Sequence, residues 1–156
     1  MTEQFYRQVS AYFRAHPVLL QLLIAVNKAL PYLIGALFFV CGCFLLVSDG
    51  IIKTAWYFGI PAVKFVLVSI IRACINAPRP YDVLDFEPLV RVEHGKGKST
   101  PSRHTASAFA IARSLCLISP WLGGIGVILA ALVGICRVMT GCHFPKDVLL
   151  AIFFFI

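Results

Sequence analysis

The chain has 156 residues, 60% hydrophobic and 13% charged, with a mean hydropathy of +0.87. Soluble domains carry about 25% charged residues, and disorder needs low hydrophobicity with high net charge, so both classes are excluded and one bilayer-embedded domain over residues 1–156 is expected. Fourteen Lys and Arg against seven Asp and Glu leave +7; in a membrane chain this reads as positive-inside loops, contact with anionic headgroups or an anionic substrate, and the scattered basic residues, without any nucleic-acid motif, exclude nucleic acid as a partner.

In chain order, residues 4–27 predict an amphipathic helix lying on the membrane. Phe5, Val9, Tyr12, Phe13, Leu19, Leu20, Leu23 and Ile24 recur at spacings of three and four, while Arg7, Arg14, Gln21 and Lys28 recur every seven on another face. Pro17 bends this helix or starts a second piece. The first 16 residues contain Glu3, Arg7, Arg14 and His16 and lead to no small-residue cleavage site, so they read as mature protein rather than a signal peptide. Residues 29–48 carry no charge and are long enough for a first crossing. Asp49 and Gly50 make the turn, and residues 51–77 form a second crossing that holds Lys64 and Arg72 and ends at Pro78 and Pro80. Residues 81–100 are polar and read as a solvated extramembrane loop, His94 among them. A third apolar helix is expected over about 102–118 and a fourth from Pro120 to Met139. A fifth starts near Pro145 and reaches Ile156 after about a dozen residues, about 18 Å, short of a crossing and read as trimmed. The expectation is an all-α, polytopic transmembrane bundle: an N-terminal interfacial helix, then about five membrane helices over 29–156. The six cysteines form no Cys-x2-Cys pair and read as buried apolar thiols. His16 is expected in solvent, and Lys64 and Arg113 to snorkel or to face a cavity.

Two helices carry small residues every four positions: Ala106, Ala110 and Ser114 on the third, Gly126, Ala130 and Gly134 on the fourth. Such stripes let helix backbones approach closely in lipid. Packing them together brings His104, at the start of one helix, to the segment from Arg137 to His143 at the end of the other.

Three polar clusters stand at the ends of apolar helices: Arg72-x6-Arg79-Pro80, Pro101-Ser102-Arg103-His104 and Arg137-x5-His143-x3-Asp147. Ionisable groups at such positions are expensive unless they serve a site. Guanidinium groups bind phosphate oxygens through planar, charge-assisted contacts. Ser102 suits a helix N-cap, whose first free N–H groups attract an anion. Asp147, four residues after His143, can reach back to one imidazole nitrogen and leave the other free to attack phosphorus. His104 can protonate the leaving oxygen and later take a proton from water. Arginines would stabilise charge on the equatorial oxygens. No metal or other cofactor is required.

With these residues the chain resembles the type 2 phosphatidic acid phosphatase family, membrane lipid phosphatases related to vanadium haloperoxidases and bacterial acid phosphatases. The family pattern is Lys-x6-Arg-Pro, Pro-Ser-Gly-His and Ser-Arg-x5-His-x3-Asp. Arg72 stands at the Lys position, Arg103 at the Gly and Cys136 at the Ser; Arg79, Pro80, Pro101, Ser102, His104, Arg137, His143 and Asp147 match. The resemblance covers residues 72–147. It implies an all-helical fold and a metal-independent phosphatase, with His143 as nucleophile, Asp147 as its partner and His104 as general acid. Arg72, Arg79, Ser102 and Arg137 would bind the phosphate, and Arg103 the phosphate or the headgroup. It implies a lipid monophosphate or diphosphate as substrate, of the undecaprenyl diphosphate, phosphatidylglycerophosphate or phosphatidic acid class. It also implies a place in the cell membrane with the site at the outer face; small size and short loops suggest a bacterial source.

Rival chemistries lack their residues. No cysteine is followed by Arg six positions later, as a cysteine phosphatase needs, and there is no Gly-x4-Gly-Lys loop. Asp82, Asp85 and Glu87 read as solvated loop acids rather than metal ligands. The alternatives are a lipid-phosphate binding or transport protein without turnover, and a structural membrane subunit. The sequence leaves the oligomeric state open.

Overall fold

The computed structural model describes residues 3–91 and 97–155. The part of the expected loop that holds Glu93, His94 and Lys96 lies outside the described residues. The helices are α1 (Glu3–Ala15), α2 (Pro17–Asp49), α3 (Ile51–Ile75), α4 (Pro80–Val83), α5 (Arg103–Leu115), α6 (Pro120–Met139) and α7 (Pro145–Phe155).

The interfacial helix expected over 4–27 is not one element. It ends at Ala15, and Pro17 occupies the first turn of α2, where its missing N–H costs nothing. Residues 17–28 then run without a break into the charge-free segment, giving a helix of 33 residues, about 50 Å at 1.5 Å per residue. Gly50, at φ 80°, reverses the chain into α3. The left-handed Asn76 (φ 44°) closes α3 by donating its N–H to the Arg72 carbonyl at 3.0 Å, and Pro78 and Pro80 prevent further helix.

Among the described residues, three helices are long and apolar enough to cross a membrane: α2, the helix that begins at Ile51, and α6. Large apolar side chains face outward along them, including Phe39, Val40 and Val47 on α2, Ile52 and Trp56 on α3, and Trp121 and Ile128 on α6. Apolar area on that scale is compatible with lipid and not with water. α5, with 13 residues, is largely buried among its neighbours, whereas α7 buries Ala151 and exposes Leu149 and Phe153.

The small-residue stripes meet as the sequence predicts. Ala110, Ser114 and Ala130 are buried, and a Cβ added at Gly126 would lie 2.9 Å from the Cα of Ala112. At Gly134 it would lie 2.7 Å from Val148 on α7, so both neighbours depend on a bare backbone there. Leu30, Ile34, Phe109 and Val133 join α2 to this pair, and Val68, Ala106 and Ala151 join α3, α5 and α7. The result places the last turns of α3 and α6 and the first turns of α5 and α7 at one end of the bundle. The thiols divide: Cys136 and Cys142 are buried, whereas Cys43, Cys74 and Cys116 are exposed on the outer surface.

Candidate active site

The turn after α6 places the central histidine. Cys142 and His143 both donate their N–H groups to the Arg137 carbonyl, at 3.1 and 3.2 Å, which folds the chain back beneath the helix end. Gly141 makes this possible: its φ is 79°, and a Cβ there would come within 2.8 Å of the Phe86 ring. The loop after α4 lies across the turn, with Leu89 N–H donating to the Thr140 carbonyl at 3.1 Å. That segment is therefore not simply solvated. Asp82 accepts from the backbone N–H of Arg79 (3.0 Å) and of Gly97 (3.3 Å). Asp85 and Glu87 are exposed but pair with Arg7 (2.6 Å) and Arg14 (2.9 Å) of α1.

His143 is 3% exposed and Asp147 is fully buried. Asp147 Oδ2 stands 3.6 Å from His143 Nδ1, just beyond hydrogen-bond range. Ser99 bridges the two. Its hydroxyl donates to Asp147 Oδ2 at 2.6 Å and stands 3.3 Å from His143 Nδ1, whose N–H it can accept. Thr100 donates its hydroxyl to Asp147 Oδ1, and the Phe144 N–H donates to Oδ2 at 2.9 Å. A carboxylate that accepts this many bonds stays ionised and immobile. With Nδ1 committed to this side, Nε2 carries the free lone pair. Burial holds the imidazole below the ordinary His value; the Asp147 contact opposes this, and the charges of Arg79 and Arg72 add to it. The ring is therefore neutral at pH 7 and available as a nucleophile.

From the other side Tyr6 of α1, also buried, donates its hydroxyl to the His143 carbonyl at 3.1 Å and stacks on Phe86 with centroids 4.8 Å apart. Burial raises the phenol, as does the charge of Asp147, so it remains a donor.

Three arginines surround this arrangement. Arg72 is buried and donates Nη1 to the carbonyls of Pro101 (2.6 Å) and Ser99 (3.3 Å). Arg79 donates Nε to Gly97 and Nη1 to Cys142, both carbonyls at 3.3 Å. These bonds use only part of each guanidinium, and the backbone acceptors fix its plane. Arg137 is 9% exposed and its Nε is buried with no hydrogen-bond partner. An orphaned charged donor is costly unless a ligand completes it.

His104 lies in the first turn of α5; desolvation of its ring, and then the charges of Arg137, His143, Arg103 and Arg72, push its imidazole down to about 3, so a phosphate anion among these arginines is what would let it carry a proton. It borders two cavities. One, of about 240 Å3, runs between α2, α3 and α5 past Ile34, Phe65, Ile111 and Val133. The other, of about 460 Å3, lies against α2 and also reaches Arg137.

Two further sequence-predicted residues stand at the start of α5. Ser102 is the N-cap residue of α5 and fully buried, but its hydroxyl caps nothing and accepts from Thr105 Oγ1 at 3.0 Å, while its N–H donates to the Asp147 carbonyl. Arg103 sets its guanidinium 5.4 Å from the Phe65 ring centroid, within electrostatic reach of Arg72 and His104. Sequence reasoning missed Ser99, Thr100 and Tyr6. The first two sit directly before Pro101 in a stretch whose polarity reads as solvent exposure; only their place beside the second cluster marked them. Lys28, expected on the basic stripe with Arg7 and Arg14, lines the larger cavity instead, because the break at Pro17 resets the helical phase.

Fold and site together define a helical membrane protein with a cationic, histidine-bearing pocket at one end of its bundle. The family model of the PAP2 superfamily matches residues 53–155, and the chain belongs to that superfamily. It is 31% identical over 98 residues to the undecaprenyl-diphosphatase BcrC of Bacillus subtilis (strain 168), a match covering 62% of this chain and 50% of that protein. The chain thus spans about half the length of this curated relative. It is similar to the crystal structure of Aquifex aeolicus LpxE, with a TM-score of 0.70 and 27% identity over 96% of this chain and 87% of that one. The transmembrane PAP2-type phosphatidylglycerolphosphate phosphatase from Bacillus subtilis shares the fold, with a TM-score of 0.69 and 23% identity over 96% of this chain and 78% of that one.

Proposed function

We propose that the protein is a metal-independent membrane lipid phosphatase acting through a phosphohistidine. One observation carries this reading: a neutral His143, tied at Nδ1 to Ser99 and Asp147, sits among Arg72, Arg79 and Arg137 beside the cavity that His104 borders. In the first step the Nε2 lone pair attacks phosphorus, the bond to the leaving oxygen breaks, and His104 gives that oxygen a proton. The ring becomes cationic, and the Asp147 carboxylate near Nδ1 stabilises it. In the second step His104 takes a proton from water, the resulting oxygen attacks phosphorus, and the P–N bond breaks to release phosphate and neutral His143. Arg72, Arg79 and Arg137 hold the equatorial oxygens, and the Ser102 region supplies the start of α5. Arg103, beside Phe65, belongs to the headgroup side.

The substrate is a lipid monophosphate or diphosphate. Its tail would lie in the apolar cavity past Ile34, Phe65 and Ile111, which the neighbouring groove at Phe38, Phe39 and Phe58 continues. The chain crosses the cell membrane more than once, with the site at the outer face, which labelling of a cysteine placed in the loop after α4 would test. Purified protein in detergent is expected to release phosphate from such lipids, and to lose this in His143→Ala and in His104→Ala. EDTA should leave the rate unchanged. Inhibition by EDTA, or binding without release, would contradict the reading.

A further inference from the structure

α2 contributes two polar residues that the catalytic steps do not use. Asn27 and Lys28 lie outside residues 53–155, the part matched by the family model. Asn27 is 7% exposed, and its Oδ1 is buried without a hydrogen-bond partner. It lines the cavity of about 460 Å3 together with Lys28, Tyr32, Val90, His104 and Arg137. Among the described residues, no Asp or Glu lines this cavity. It is therefore a space next to the proposed general acid that a cationic ammonium, a guanidinium and a side-chain amide line together. A buried amide with no partner is destabilising, and such groups in a folded chain call for a ligand or a water.

We propose that this cavity is a second phosphate subsite, so that the chain is built for a lipid diphosphate. This rests on the phosphatase reading of the same pocket. The terminal phosphoryl group lies among Arg72, Arg79 and Arg137, facing His143. The inner phosphate, which bears the lipid, lies in the α2 cavity. The Asn27 side-chain amide donates Nδ2–H to one inner oxygen, and the Lys28 ammonium neutralises another. His104, bordering both spaces, faces the bridging oxygen. When His143 Nε2 bonds to the terminal phosphorus, the terminal P–O bond breaks and its electron pair goes to the bridging oxygen. That oxygen takes the His104 proton and departs as the lipid monophosphate. Lys28 then acts where negative charge grows on the leaving group, an interaction that a lipid alcohol leaving from a monophosphate cannot use.

The test compares two substrates with one tail, an isoprenyl diphosphate and the corresponding isoprenyl monophosphate, on full-length protein in detergent. Asn27→Leu and Lys28→Gln are each expected to lower the ratio of kcat/KM for diphosphate over monophosphate at least tenfold. A ratio unchanged within twofold in both variants overturns the proposal, as does an equal loss on both substrates. Lys28 is exposed, so Lys28→Gln should fold even if Asn27→Leu does not. A binding arm stands apart from turnover. Methylenediphosphonate should raise the Tm of the parent more than orthophosphate does, and Lys28→Gln should remove that difference. If no lipid is hydrolysed but this difference is present, the phosphatase reading fails and the diphosphate subsite survives. If lipids are hydrolysed and the difference is absent, the subsite fails alone.

Discussion

Asp147→Asn removes one negative charge from the His143 environment while keeping the shape of the side chain. The carboxylate lies 3.6 Å from Nδ1, and its charge counts most when the attacking ring becomes an N-phosphorylated cation. At an effective dielectric of about 20, a unit charge pair at this distance is worth about 4–5 kcal/mol. At about 1.4 kcal/mol per tenfold in rate, that is about 10³-fold in the phosphorylation step. The amide also disturbs the hydrogen bonds. Ser99, Thr100 and the Phe144 N–H all donate to this group, and Asn offers one acceptor oxygen and a donor where two acceptors stood. Ser99 must then turn its hydroxyl, which loosens the Nδ1 contact as well. Rapid-quench measurement of phosphoenzyme formation, beside steady-state phosphate release, separates the step affected. The account expects kcat to fall about 10³-fold with KM changed far less, and the fall to lie in phosphoenzyme formation. Asp147→Asn protein that is folded and within tenfold of the parent rate would refute the reasoning.

Tyr6→Phe deletes the hydroxyl that holds the His143 carbonyl at 3.1 Å but keeps the stacking on Phe86. It should cost about 1–2 kcal/mol of stability and lower kcat with KM little changed, read by thermal unfolding in detergent and by kinetics. A fall in KM affinity alone would make Tyr6 a substrate contact rather than a support for the turn. Gly126→Val forces α5 and α6 apart, since even a Cβ meets the Ala112 backbone at 2.9 Å. A loss of about 1–3 kcal/mol is expected from overpacking, seen as a lower Tm and folded yield, whereas a neutral result would mean the stripe does not set the packing. Burial holds the folded-state value of His143 below the ordinary 6.5. The folded protein therefore resists the proton that the unfolded chain accepts, and stability should fall as pH drops below about 6.5. The same shift keeps the nucleophile neutral, so the acid limb of kcat/KM that belongs to His143 should lie below pH 6.5; its appearance above pH 7 would contradict a buried neutral imidazole.

Much of the bundle was legible because lipid imposes simple conditions. The charge-free run of residues 29–48, the paired prolines after Arg72 and the Gly and Ala repeats of α5 and α6 each answer one of them. The three charged clusters stood out for the same reason, since an apolar background makes Arg72, His104 and Asp147 conspicuous. Where the solvent argument loses contrast, reading failed. A helix lying on a membrane and the first turns of a helix crossing it share one periodicity, so residues 17–28 were assigned to the wrong element and Lys28 to the wrong face. Ser99 and Thr100 are small and lie in a polar stretch, where a hydroxyl that bridges a buried carboxylate looks like one that meets water. Tyr6 is 137 residues from the carbonyl it holds, and no local pattern encodes that contact. Arg103 keeps its place in the motif, but its packing on Phe65, 38 residues earlier on another helix, leaves no local pattern.

The central claim is that His143 carries the phosphoryl group between lipid and water. Incubation with a lipid phosphate labelled at the terminal phosphorus, followed by denaturing quench at alkaline pH and peptide mapping by mass, tests it directly. The account expects one acid-labile, base-stable phosphoryl adduct on the imidazole of His143, absent from His143→Ala. Label on another residue, or undiminished phosphate release by His143→Ala, would contradict it.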